Sequence, residues 1–133
     1  MNKKLILNLS LFGLFMAIAT VFWIPWNIEP IIWFIIFIIC AIQIAKKCSG
    51  KFFYTGFLLS LMNSVWMTVA HILFFNKYIS SHPQELEIIS KLPVPYSPRI
   101  AMIIVGPFFG VVFGIVLGIF CVIAGSIIKH RVD

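Results

Sequence analysis

The sequence predicts an all-α polytopic membrane protein, a bundle of four transmembrane helices with a short interfacial helix in one long loop. Three observations predict it. Hydrophobic residues make up 62% of the 133-residue chain and charged residues only 11%, whereas an ordinary soluble domain is about half apolar and about a quarter charged. The apolar residues fall into four long runs. The four carboxylate residues Glu29, Glu85, Glu87 and Asp133 and the ten Lys and Arg lie between those runs, never inside them. A chain this small has too little interior to hide so much apolar surface from water. A soluble enzyme, a disordered tail and a secreted disulfide scaffold are thereby excluded, and bilayer is left as the solvent for most side chains.

The first run, Leu5 to Ile24, has 20 residues, and about 20 residues rising about 1.5 Å each cross a hydrocarbon core roughly 30 Å thick. Lys3 and Lys4 followed by Ala17-Ile18-Ala19 also have the outline of a cleaved signal peptide ending near residue 19. The apolar run continues through Val21, Phe22, Trp23 and Ile24 past that cut, which favours a retained helix; cleavage would leave three spans in the same orientation. The second run, Ile31 to Ala45, is short. It reaches back to residue 28, or to Trp26, if the Pro25–Pro30 corner dips into the interface. Its Ile31–Ile42 stretch is rich in β-branched residues but has no period of two. In hydrocarbon a backbone that must satisfy its own hydrogen bonds is helical. The third span covers 52–75 and the fourth 100–128. At 29 residues the fourth must tilt or protrude. Within the remaining loop, 76–99, Ser81 with Gln84 resembles a capping box and Pro83 suits a first helical turn. Leu86, Ile89 and Leu92 recur opposite Glu85, Glu87 and Lys91, the pattern of a short helix lying on a membrane surface. Pro93, Pro95 and Pro98 then impose extended geometry. Residues 1–133 form a single membrane domain.

Charge orients the chain. Lys3, Lys4, Lys46, Lys47, Lys51, Lys129 and Arg131 fall on one side of the four spans, and Lys77, Lys91 and Arg99 on the other, seven against three. The positive-inside bias places both termini in the cytoplasm of a multi-pass protein. Trp23, Trp26, Trp33, Tyr78 and Tyr96 then gather at the outer interface as an aromatic belt. The net charge of +6 sits at helix ends, where it attracts anionic lipid headgroups. No basic helix or stacking platform points to nucleic acid.

Two patterns mark helix faces. Gly106, Gly110, Gly114 and Gly118 recur every four residues, holding four of the chain's eight glycines, and Cys121 and Gly125 nearly continue the stripe. Such a ladder lets a second helix backbone approach closely. The first span offers a matching small stripe of Ser10, Gly13, Ala17 and Thr20, so packing of the first span on the fourth is expected, with a homodimer seam as the other option. Pro107 should kink the fourth helix or mark its first turn. On the third span, Gly56, Ser60, Asn63, Ser64, Thr68 and His71 fall within about 140° of arc. A polar stripe so narrow should face other helices. It serves either interhelical hydrogen bonds or a polar cavity lined by Ser60, Asn63, Ser64, Thr68 and His71.

Chemistry finds little to work with. Ser64 and His71 stand seven residues, about 10 Å, apart on one helix, too far for a nucleophile and its base. Cys40, Cys48 and Cys121 show no C-x-x-C spacing, and Cys48 reads as a free thiol at the cytoplasmic surface. No enzyme activity, cofactor or metal is expected. The run Lys51-Phe52-Phe53-Tyr54-Thr55-Gly56-Phe57, the polar-striped helix, the Pro-bearing loop and the glycine-rich last helix ending at Lys129 resemble bacterial four-helix membrane proteins grouped as a domain of unknown function. That resemblance implies a bacterial cytoplasmic (inner) membrane and no particular activity. Small multidrug transporters share the size, but the Glu they carry in their first helix is absent. Two functions are expected: a non-enzymatic scaffold or accessory subunit assembled through glycine packing, or a small oligomeric channel or carrier using the polar stripe. The partners expected are membrane lipid, a second copy of the chain and another membrane protein.

Overall fold

A computed structural model describes residues 3–25, 27–91 and 97–132, without the side chains of 81, 85, 86, 89, 98 and 129–132. The expectations for Trp26, Tyr96, the Ser81–Gln84 capping box, the Leu86/Ile89/Leu92 stripe and the turns at Pro93 and Pro95 lie outside the described residues. Six helices follow in order: α1 (Lys3–Phe22), α2 (Glu29–Lys47), α3 (Phe52–Leu73), α4 (Phe75–Ser81), α5 (Pro83–Ser90) and α6 (Pro98–Val132). No strand occurs among the described residues. The helices α1, α2, α3 and α6 are long and apolar enough to cross a membrane.

Local chemistry explains the boundaries. Glu29 and Pro30 open α2, while Lys46 and Lys47 stand in its last turn. The acid meets the positive end of the helix dipole and the cations meet the negative end. Lys51, with φ of 55°, breaks the chain in a left-handed turn, and the Thr55 hydroxyl donates to its carbonyl at 2.8 Å as α3 begins. Pro83 is the first residue of α5, where its missing N–H has no helical partner to lose. The last helix is longer than expected, 35 residues, or about 50 Å at about 1.5 Å per residue. It passes unbroken through Pro107, which therefore lies in the helix interior and not in its first turn. A second difference is α4, a helix where the sequence predicts loop.

The arrangement centres on α3. Both α1 and α6 pack along it, and α2 leans on α6 while touching α3 and α1 far less. The expected pairing of the first span with the fourth does not form. Both small stripes turn instead toward α3, because α3 carries the side chains that fill them. Gly13 lies under Asn63, Gly106 under Thr68 and Gly110 under Ser64, while Gly114, Gly118 and Gly125 face Phe57, Phe53 and Phe52. Ala17, also on the α1 stripe, is fully buried. Two backbones come close at Gly56. A Cβ there would stand 3.1 Å from Gly118 Cα, 3.1 Å from the Leu117 carbonyl oxygen and 2.7 Å from Cys121 Sγ.

Large apolar side chains such as Phe15, Ile31, Phe108 and Ile123 point outward and are exposed, as lipid-facing surfaces require. In lipid, helices associate by van der Waals packing and hydrogen bonds without a water-driven hydrophobic term. The contact at Gly56 and Gly118 should therefore dominate stability. Gly56→Leu and Gly118→Leu are each expected to destabilise the protein by about 2 kcal/mol or more in denaturant titrations in mild detergent. Gly50→Ala, where a Cβ meets nothing within 4 Å, should stay within about 0.5 kcal/mol of the parent.

Candidate functional site

Each polar residue of the α3 stripe has a definite place. The Ser60 hydroxyl donates to the Gly110 carbonyl at 3.1 Å, crossing to α6. Ser64 donates to Leu61 of its own helix at 2.7 Å while resting on Gly110, and Thr68 rests on Gly106. His71 Nε2 lies 3.1 Å from Thr20 Oγ1. Thr20 directs its single hydrogen to the Ala17 carbonyl at 3.2 Å, so the imidazole N–H is the donor to the hydroxyl. A second polar tie between α1 and α3 runs from Trp66 Nε1 to Ser10 Oγ at 3.3 Å.

Asn63 is the exception. The residue is 4% exposed, and neither carboxamide atom has a hydrogen-bond partner. Leaving such a group unsatisfied in a buried position costs about 1–3 kcal/mol.

The stripe does more than join helices. All five of Ser60, Asn63, Ser64, Thr68 and His71 border a cavity of about 480 Å³ between α2, α3 and α6. Ligand pockets commonly measure roughly 300–1,000 Å³. The opposite walls are aromatic: Trp33, Phe34 and Phe37 come from α2, and Phe109, Phe113 and Phe120 from α6. Phe37 meets Phe113 and Phe120 edge-on, with ring centroids 6.3 and 6.4 Å away, an arrangement favoured by the ring quadrupoles. Met102 and Phe120 both line the space. They are eighteen residues apart on one helix, so the cavity extends about 27 Å along α6.

One end of this cavity is polar. Glu29 and Tyr78 border it there, and three rings form a column: His71 on Tyr78 at 3.7 Å and 16°, then Tyr78 on His82 at 4.4 Å and 19°. His82 Nδ1 lies 3.2 Å from the Tyr78 carbonyl oxygen, which can only accept, so Nδ1 carries a hydrogen. Its Nε2 lies 3.7 Å from Glu29 Oε2. A neutral ring would turn a lone pair toward that carboxylate, so the pair is attractive only when it holds a proton. Trp33 Nε1 donates to Glu29 Oε1 at 3.4 Å.

Tyr78 was expected in an interfacial belt, yet it is 2% exposed. Its ring fills the gap between two histidines, and this insertion anchors α4 to the bundle. Trp33 likewise faces the cavity, leaving Trp23 as an exposed belt residue at 73%. The sequence reading missed Glu29, the aromatic walls and Tyr78 as parts of one site. The four-residue spacing of Glu29, Trp33 and Phe37, and of Tyr78 and His82, was the available signal.

The three thiols stand apart from this site. Cys40 and Cys121 are buried and free, and Cys48 is half-buried and free. Among the described residues no group of three His, Cys, Asp or Glu could hold a metal ion. No family model, no curated protein and no solved structure matches this chain. The cavity itself is therefore the basis for a functional reading.

Removing the middle ring of the column tests how α4 is held. Tyr78→Ala should cost about 3 kcal/mol, in the range for emptying a buried aromatic site. It should also speed proteolytic cutting in residues 74–91, measured by limited digestion in nanodiscs.

Proposed function

We propose that the protein is a small membrane carrier that binds an elongated amphipathic molecule in the cavity between α2, α3 and α6. The observation that carries this reading is the cavity itself, about 480 Å³, with Ser60, Asn63, Ser64, Thr68 and His71 along one wall and phenylalanine rings along the others. A ligand with a hydrogen-bonding group partway along an apolar body would set that group against the polar wall and lay the rest of its length on the phenylalanine walls. Recognition of that kind, mostly apolar contact with a few placed polar groups, is what a pocket of this size supplies. The glycine ladder, which the scaffold reading needs for assembly, is engaged with α3 inside the chain, and this supports the cavity reading over the scaffold.

The distribution of cations, seven against three, supports a topology with both termini in the cytoplasm and the Glu29 end facing outward.

Asn63→Leu distinguishes ligand recognition from packing. We expect the variant to unfold at the same or higher denaturant concentration, since a buried unsatisfied group is removed. Its affinity for an environment-sensitive amphipathic dye in nanodiscs should fall about fivefold, the equivalent of about 1 kcal/mol. Loss of stability with unchanged dye binding would assign Asn63 to helix packing alone. Val105→Trp, which adds bulk to the cavity wall, should lower dye binding and vesicle uptake together. For topology, a membrane-impermeant maleimide should leave Cys48 unmodified in intact cells and label it after lysis. Labelling from outside would invert the orientation.

A further inference from the structure

We infer that a groove between α1 and α2 seats an anionic phospholipid of the leaflet that meets the lysine-rich end of the bundle. This groove is separate from the cavity between α2, α3 and α6, and the inference does not depend on what that cavity binds. Asn8, Leu11, Phe12, Phe15 and Met16 of α1 border the groove on one side, and Ile32 and Ile36 of α2 on the other. The path from Asn8 to Met16 rises about 12 Å along α1. Half of a hydrocarbon core measures roughly 15 Å, so this stretch matches the depth reached by the acyl chains of one leaflet.

Both helices change character in the same order toward that end. At about 100° per residue, Lys4, Asn8, Leu11 and Phe15 fall within about 60° of arc on α1. Ile32, Ile36, Gln43 and Lys47 fall within about 60° on α2. Followed toward the lysines, each face passes from apolar side chains to a carboxamide and then to an ammonium. A phospholipid carries its acyl chain, ester carbonyls and phosphate in that same order. The depths agree as well. Lys4 and Asn8, like Lys47 and Gln43, are one helical turn apart, about 6 Å, and one polar interface of a bilayer is about 5–8 Å thick.

Exposure and charge decide the occupant. Asn8 is exposed although it stands within an apolar span, and a carboxamide facing bare hydrocarbon is costly. An ester carbonyl at that depth accepts from its N–H groups and removes the cost. Lys4, Lys46 and Lys47 are exposed too. Glu29 opens α2 at its other end, and Glu85 and Glu87 belong to α5, beyond the far end of α3. Among the described residues the lysine-rich end therefore holds no carboxylate side chain. A phosphodiester without an amine, as in phosphatidylglycerol, finds its charge answered there. The ammonium of a zwitterionic head would meet like charges.

The test uses the full chain in mild detergent, with native mass spectrometry counting bound lipids that share dioleoyl chains and differ in head. We expect the first phosphatidylglycerol to bind about fivefold tighter than the first phosphatidylcholine, as cations beside a phosphate require. Lys4→Gln combined with Lys47→Gln should bring that preference within about twofold. Asn8→Leu should weaken both lipids and leave dye binding in the other cavity unchanged. Lys91→Gln removes one positive charge at the opposite end and should keep the preference whole. Equal first affinities for the two lipids would overturn the anionic assignment, and unchanged lipid binding in Asn8→Leu would overturn the groove as its seat. A fall of preference in Lys91→Gln as large as in the Lys4 and Lys47 variant would replace the site by net charge alone. Displacement by an equal concentration of glycerol 3-phosphate would overturn the lipid as the source of the phosphate. All four positions are exposed, and the comparison of heads on the unmodified protein decides the question even if a variant fails to fold.

Discussion

The close approach of α3 and α6 at Gly56 and Gly118 is the contact on which the rest of the bundle depends. A membrane helix gains little from leaving lipid for protein, because both are apolar, so association must come from tight contact and from hydrogen bonds. Glycine supplies the first by removing the side chains that would hold two backbones apart. Leu117 and Cys121, fully buried beside this contact, show how completely lipid is excluded from it. The bond from Ser60 to the Gly110 carbonyl is available for the same reason: with no side chain at Gly110, the hydroxyl comes within reach of the backbone.

The same constraint creates the cavity. Since α3 fits its side chains into small stripes on α1 and α6, it is held between them. The N-terminal half of the second helix carries Trp33, Phe34 and Phe37 toward the cavity, and its small buried residues Cys40, Ala41 and Ala45 are confined to the C-terminal half. It packs on α6 through ring contacts such as Phe34 with Phe120 at 5.9 Å and stays away from most of α3. Space remains where bulky α2 faces polar α3. The polar stripe thus serves two purposes on adjacent sides of one helix: Ser60, Ser64 and Thr68 settle into the glycine ladder, and their edges, with Asn63 and His71, remain on the cavity wall.

Charge placement follows from solvent access. A carboxylate deep in hydrocarbon is costly, and Glu29 avoids that cost by standing in the first turn of α2, near the helix end. There the dipole favours it, and His82 and Trp33 lie within reach of its two oxygens. The column of His71, Tyr78 and His82 holds α4 against the bundle and puts Tyr78 on the cavity wall. A loop segment has become part of the wall because one tyrosine finds a slot between two imidazoles.

Much of this molecule was legible in its residues. Four apolar runs separated by charges require four spans, since each run is a local sum of transfer energies that no distant residue alters. Pro83 marks the start of α5, and the 100° rotation per residue gathers Ser60, Asn63, Ser64, Thr68 and His71 onto one face before any neighbour is known. What periodicity cannot say is which helix meets that face. The glycine ladder fits α3 and not α1 because shapes of segments fifty residues apart complement one another, and no local pattern encodes that match. The second helix misses α3 for the same reason, and the cavity is a by-product of that misfit. The helix at 75–81 was equally hidden, because its stability comes from the slot that Tyr78 enters and not from its own seven residues. Sequence alone determined the spans and their polar faces, since both depend on each residue's own solvation and spacing. Tertiary structure alone decided helix pairing, the buried column and the cavity, since these depend on how side chains far apart in the chain fit together.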